Sequence, residues 1–185
     1  ATKLSNYILE RNKSYRVGVQ LGISTDTFDI TGKEVSRSQN IPNEDSVRQL
    51  ALVLQGEFTF PVPIFSAMKV NGTRLHEFAR RGEMIETPNK VMKFWDLSIL
   101  TQGSDSLEVD VSCSKGSFVR SWVQELGQKL GSGAAMKSLI RTSSDPYSLT
   151  QAKTTSEIEA LAKDRLLEVV IPIERALPEA KRVIV

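Results

Sequence analysis

Leu107-Glu108-Val109-Asp110-Val111-Ser112-Cys113, then Ser114-Lys115-Gly116, then Ser117-Phe118-Val119-Arg120-Ser121-Trp122-Val123-Gln124-Glu125-Leu126, changes periodicity within a few residues. In the first part Leu107, Val109, Val111 and Cys113 alternate with Glu108, Asp110 and Ser112, the two-residue period of a strand with one buried face. In the last part Phe118, Trp122, Leu126 and Leu130 recur along one side of a helix, which Gly131-Ser132-Gly133 ends. The neighbours of this strand–helix unit decide the fold class.

Upstream, Val91 to Thr101 reads as a second strand, joined to the first around Gly103-Ser104-Asp105. Downstream, Met136 to Ser144 forms another, and the remaining tail is helical, punctuated by Pro172 and Pro178. Nearer the start, Tyr15, Val17, Val19 and Leu21 alternate with polar residues and glycine as a strand. A polar turn over Thr25 to Gly32 and a return strand over Lys33 to Ser38 follow. Pro42-Asn43-Glu44-Asp45 supplies an N-cap and acids for a helix with Val47, Leu50, Ala51 and Leu54 on one face, ended by Gly56. Phe58 to Val70 is strand-like but broken by Pro61 and Pro63. Asn71-Gly72 signals a turn, and Leu75 to Arg81 a short helix stopped by Gly82. Strands and helices mix without steady βαβα alternation. The expectation is an α+β domain on a mixed, largely antiparallel sheet flanked by helices.

With 185 residues, 40% hydrophobic and 25% charged, the chain has the balance of a soluble globular protein. No apolar run approaches the roughly 20 residues of a membrane span, and Ala1 to Tyr7 lack the pattern of a signal peptide. A single cysteine, Cys113, excludes an internal disulfide, and one histidine with one cysteine does not make a usual zinc site. No metal, no cofactor, no membrane and a cytoplasmic location are expected. Net charge is only +2, but Lys115 to Arg141 carries five basic residues against one acid. Lys69 to Lys93 carries six against three. Such locally basic stretches suit a phosphate backbone, and equally a solvated mixed surface.

Four stretches resemble the TruB family of bacterial tRNA pseudouridine synthases. Lys13-Ser14-Tyr15-Arg16-Val17, Leu21-Gly22 and Thr25-Asp26-Thr27-Phe28-Asp29-Ile30-Thr31-Gly32 are similar to the family's lysine–x–tyrosine strand and TDTxDxxG turn. Pro63-Ile64-Phe65-Ser66-Ala67-Met68-Lys69, with Gly72 and Ala79-Arg80-Arg81-Gly82, resembles PxYSAxK…G…ARxG. Cys113 to Arg120 resembles CSKGTYIR, and Leu126-Gly127, Leu130-Gly131, Gly133-Ala134 and Leu139-Ile140-Arg141-Thr142 resemble LG…LG…GA…LRRT. The match runs from about Lys3 to Arg175.

The resemblance implies the pseudouridine synthase fold with an RNA-binding cleft. It also implies isomerisation of the uridine at position 55 in the TΨC loop of tRNA, by base flipping and an aspartate nucleophile. Tyr15 is then the ring packed on the uracil and a candidate proton acceptor. Arg120 becomes the partner of the catalytic aspartate, and Leu139 and Phe118 the walls of the base pocket. The 64–88 region becomes a flexible thumb, and Lys69, Arg74, Arg80, Arg81, Lys115 and Arg141 become RNA contacts. By pattern alone, Tyr15 and Leu139 read as core, Arg120 as surface, His76 as solvated and Cys113 as a buried strand residue.

Departures accompany the match. The nucleophile's GHxGTLDPxAxGxL segment lies upstream of the lysine–x–tyrosine strand and has no counterpart here. Asp26 and Asp29 read as turn-forming residues. The chain alone is expected to be inactive, with a separate polypeptide carrying that segment as one expected partner beside tRNA. Truncation, a nick or a gap would each explain the pattern, and the last two keep the sheet intact. A catalytically silent tRNA-binding or tRNA-folding module is the rival reading. The expected layout is a monomer with a body over 1–177, a thumb-like insertion at about 64–88 and a tail over 178–185, without the family's C-terminal PUA domain.

Overall fold

The computed structural model describes residues 10–83, 85–161 and 163–176. The tail expected over 178–185 lies outside the described residues. In chain order come β1 (Lys13–Leu21), β2 (Ile23–Thr25), β3 (Glu34–Arg37), α1 (Glu44–Val53) and β4 (Gly56–Pro61). The short pair β5 (Lys69–Val70) and β6 (Thr73–Arg74) follows, then α2 (Leu75–Arg80), β7 (Asn89–Gln102) and β8 (Ser106–Cys113). The chain continues with α3 (Val119–Leu130), β9 (Ala134–Ser144), β10 (Tyr147–Ser148), α4 (Thr155–Glu159) and α5 (Ile173–Ala176).

Six strands form one sheet in the order β10-β9-β1-β8-β7-β4, each antiparallel to its neighbour. Among the described residues one parallel bridge, Asp29 to Met136, makes the pairing mixed. Alternation assigns the faces. Val17, Val19 and Leu21 of β1 and Leu107, Val109, Val111 and Cys113 of β8 lie on the buried face, with α1 and α3 packed against it. The opposite face is polar. There Ser112, Ser14 and Ser143 link hydroxyl to hydroxyl at 2.9 and 3.0 Å, and Arg16 grips Asp110 through two bonds of 2.9 and 3.0 Å. An antiparallel sheet with one face in water takes this form.

α1 begins as its sequence dictates: the Asn43 side chain accepts from the Ser46 amide at 2.9 Å, and Glu44 and Asp45 fill the first turn. It ends earlier than Gly56, at Val53, with Leu54 as its cap. Gly56 instead opens β4 with a φ of 126°, a conformation open to glycine. α3 carries the core's largest side chain. Trp122 is fully buried, and its indole N–H donates to the Leu54 carbonyl at 3.0 Å, tying α3 to the end of α1.

Candidate active site

Arg120 is the second residue of α3, and its half-buried side chain leaves the helix towards two loops. Nη2 donates to the Phe65 carbonyl at 2.8 Å and Nη1 to the Thr27 carbonyl at 3.4 Å. Burial pushes the guanidinium below its ordinary pKa, and Asp29 pulls it back up. Among the described residues Arg120 forms no ion pair. It lines an open hollow of about 490 Å³ together with Asp26, Thr27, Asp29, Lys33 and Phe65. The surface position that pattern suggests for Arg120 gives way to a desolvated cation held by two carbonyls.

The turn beneath it is built by its own polar side chains. Asp29 Oδ1 accepts from the Thr31 amide and hydroxyl at 3.0 and 2.7 Å, and Asp26 Oδ1 accepts from the Lys33 amide at 2.8 Å. Both acids therefore do hold the turn. Phe28, with φ 62°, lets the turn lie beside β9, where Ile30 N donates to Met136 O at 2.8 Å and Met136 N to Phe28 O at 2.9 Å.

Tyr15 and Leu139 stand outside the lining of the Arg120 hollow, on adjoining strands. Tyr15 faces Arg141 across the β1–β9 ladder, and Val17 faces Leu139. Burial raises the Tyr15 pKa, as does Cys113, and Arg141 pulls it down. Leu139 is 42% exposed, so the core position that hydrophobicity suggests is corrected. It sits where β9's outer edge is unpaired among the described residues, between the Met136 bridge and β10 at Ser143–Ser144. Phe118 is half-buried at the N-cap of α3 and packs on the core. Its amide donates to Met92 Sδ at 3.3 Å, and the Lys90 ammonium lies 5.9 Å from its ring centroid.

The basic candidates are scattered. Lys69 and Arg74 face each other, both exposed, on the β5–β6 hairpin, whose Asn71-Gly72 tip has φ of 51° and 83°, as a tight primed turn needs. Arg80 is exposed at the end of α2. Arg81 is engaged by Glu83 and lies 4.9 Å from the Phe78 ring centroid, and Lys115 is engaged by Glu10. Arg141 is exposed on β9. His76 is half-buried rather than solvated, its Nδ1 2.9 Å from the Ser66 carbonyl. Burial pushes the Cys113 thiol up to about 11, which makes it an inert core group. Two residues escaped the sequence reading as site members: Asp29, as the acid acting on Arg120, and Phe65, through its carbonyl. Asp29 has a sequence signal only as a turn former, and a backbone carbonyl has none. Among the described residues no group of three histidine, cysteine, aspartate or glutamate side chains could hold a metal, and no helix is long and apolar enough to cross a membrane.

Residues 1–119 match the TruB family pseudouridylate synthase N-terminal domain, and residues 120–178 the tRNA pseudouridylate synthase B C-terminal domain. The junction falls inside α3, and β9 beyond it pairs with β1 before it, so one sheet spans both. The tRNA pseudouridine synthase B of Bdellovibrio bacteriovorus is 48% identical over 187 residues, covering 98% of this chain and 60% of that protein. Its counterpart from Alkaliphilus oremlandii is 33% identical, covering 100% of this chain and 61% of that protein. The chain thus spans about 60% of the length of these relatives. Among solved structures, a Cbf5-Nop10-Gar1 complex matches with a TM-score of 0.69 at 20% identity, over 96% of this chain and 46% of that one. An H/ACA RNP bound to a substrate RNA containing 2'-deoxyuridine matches with a TM-score of 0.66 at 17% identity, over 96% and 45%. Both likenesses establish the fold.

Proposed function

The chain belongs to the TruB family of pseudouridylate synthases, and on that premise we propose that it is the body of an enzyme converting uridine to pseudouridine in the TΨC loop of tRNA. One observation carries the reading: a half-buried guanidinium at the start of α3, in an open hollow, with carbonyls as its hydrogen-bond partners. A desolvated cation of this kind favours the ionised form of an incoming carboxylate, which would otherwise hold its proton in a closed site. The aspartate of the family's GHxGTLDPxAxGxL segment is that carboxylate. It serves as nucleophile while the C1′–N1 bond breaks, the uracil turns, and a C1′–C5 bond forms. The C5 proton leaves to a base and N1 gains one, so the reaction is redox-neutral and needs no cofactor.

The flipped base rests on Tyr15, with Leu139 and Phe118 as apolar walls. Tyr15 keeps its phenolic proton at neutral pH. For it to accept a proton, its pKa must fall as substrate arrives, and Arg141, which already lowers it, is placed to help. Lys69, Arg74, Arg80, Arg81 and Lys115 meet phosphates, the ion-paired ones by exchanging a carboxylate for a phosphate. The proposal places the enzyme in the cytoplasm, acting as a monomer on its tRNA.

Tritium release from tRNA labelled at uridine C5 tests this, with the aspartate segment supplied in the same polypeptide or as a separate one. Turnover in its presence, lost on Arg120→Met by roughly 10³-fold as expected for removal of a charge-stabilising group, supports the enzyme. Tight tRNA binding without turnover in either case points to the silent binding module instead.

A further inference from the structure

The 64–88 segment hangs between the end of β4 and the start of β7, and that root touches the first turn of α3. Val62 N donates to Pro88 O at 3.0 Å, and Ser121 Oγ donates to Pro61 O at 2.6 Å. One residue into the β4–β7 pairing, Lys90 faces Phe60. Its half-buried side chain donates from Nζ to the Gly116 carbonyl at 2.9 Å, and the same ammonium stands 5.9 Å from the Phe118 ring centroid. Two residues along on the same face of β7, the buried Met92 accepts the Phe118 amide through its sulfur. Gly116 has φ 69°, and a Cβ there would collide with the Lys90 ammonium. So β7 holds Gly116 and Phe118 by a carbonyl, a ring and an amide, four and two residues before Arg120.

We propose that Lys90 is a positioning residue for the reaction, fixing the Gly116–Phe118 loop and through it the Phe118 ring and the Arg120 guanidinium. The inference rests on the proposed function for its catalytic consequence. A compact ammonium with three donors can serve a carbonyl and a ring face together, and each contact limits how far the other can drift. Phe118 caps α3 without a side-chain hydrogen bond, so the first turn of that helix takes its direction from the loop. A displacement of about 1 Å in such a supporting element is enough to slow a reaction markedly. The competing role for a half-buried lysine near the surface of an RNA-binding protein is a phosphate contact, and the two roles separate by measurement.

The experiment compares wild type, Lys90→Met and Lys90→Arg in the presence of the aspartate segment, using a TΨC stem-loop RNA. Lys90→Met is expected to lower the single-turnover rate about 10-fold, the scale of a small misplacement. RNA affinity and its salt slope should stay unchanged, and Lys90→Arg, which keeps a cationic donor over the ring, should recover most of the rate. An unchanged rate overturns the proposal. So does weakened binding with a salt slope reduced by about one, the mark of a lost phosphate contact. If wild type makes no pseudouridine, the proposed function fails by itself. Lys90 is then read by hydrogen exchange at the amides of Ser117 to Ser121: loss of protection in Lys90→Met, restored in Lys90→Arg, supports positioning, and unchanged protection overturns it.

Discussion

Val17 and Leu139 are directly opposed across the β1–β9 ladder, on the same face, yet Val17 is fully buried and Leu139 is 42% exposed. Val17 has β8 on its other side, with Val109 beside it. Leu139 lies next to an unpaired stretch of strand edge among the described residues, bounded by the Met136 bridge and β10. The buried end of this face, from Val17 to Leu21 with Ala134 to Met136, is closed by α3 and α1. The open end presents Tyr15, Leu139 and Arg141. One face therefore divides in two: its covered half holds the fold together, and its uncovered half is left open to solvent.

That division predicts opposite responses to truncation. Trp122→Ala at the covered end should cost about 3–5 kcal/mol, from lost burial, the cavity left behind and an unpaired Leu54 carbonyl. Leu139→Ala should cost under about 1 kcal/mol, as for other exposed sites, while slowing isomerisation. Urea denaturation of the two variants side by side checks this, and equal losses would break the comparison.

Cys113 sharpens it with a pH dependence. Its thiol is raised from 9.0 to about 11 by burial, so above pH 9 the unfolded chain releases a proton that the folded one keeps. Stability should fall as pH rises from 9 to 11, by up to about 1.4 kcal/mol per pH unit. Cys113→Ala should flatten that limb relative to wild type. Tyr15, also raised above its usual 10.0, contributes to any fall that persists in the variant. A wild-type stability flat across this window would mean that water reaches the Cys113 thiol in the folded chain.

The strands and helices were legible because their cause is local. Period-two alternation marked β1 and β8, and the four-residue recurrence of Phe118, Trp122 and Leu126 marked α3. Asn43 and Asn71-Gly72 announced a cap and a turn through their own side-chain and backbone preferences. Leu139 was misread as core because its exposure depends on which strands neighbour β9, which hydrophobicity does not encode. The site was legible only as motifs. What holds Arg120 is a pair of backbone carbonyls, 93 and 55 residues away, with no residue-type signature. Lys90 reaches Gly116 across 26 residues for the same kind of contact.

The proposed function requires Arg120 to turn to the family's aspartate once that residue is present. A crystal structure of the chain together with the GHxGTLDPxAxGxL segment decides it. The aspartate oxygens are expected about 2.7–2.9 Å from the Arg120 guanidinium nitrogens, the geometry of a charge-assisted pair. A guanidinium still bound only to the Thr27 and Phe65 carbonyls, with the carboxylate beyond the reach of an ion pair, would contradict it.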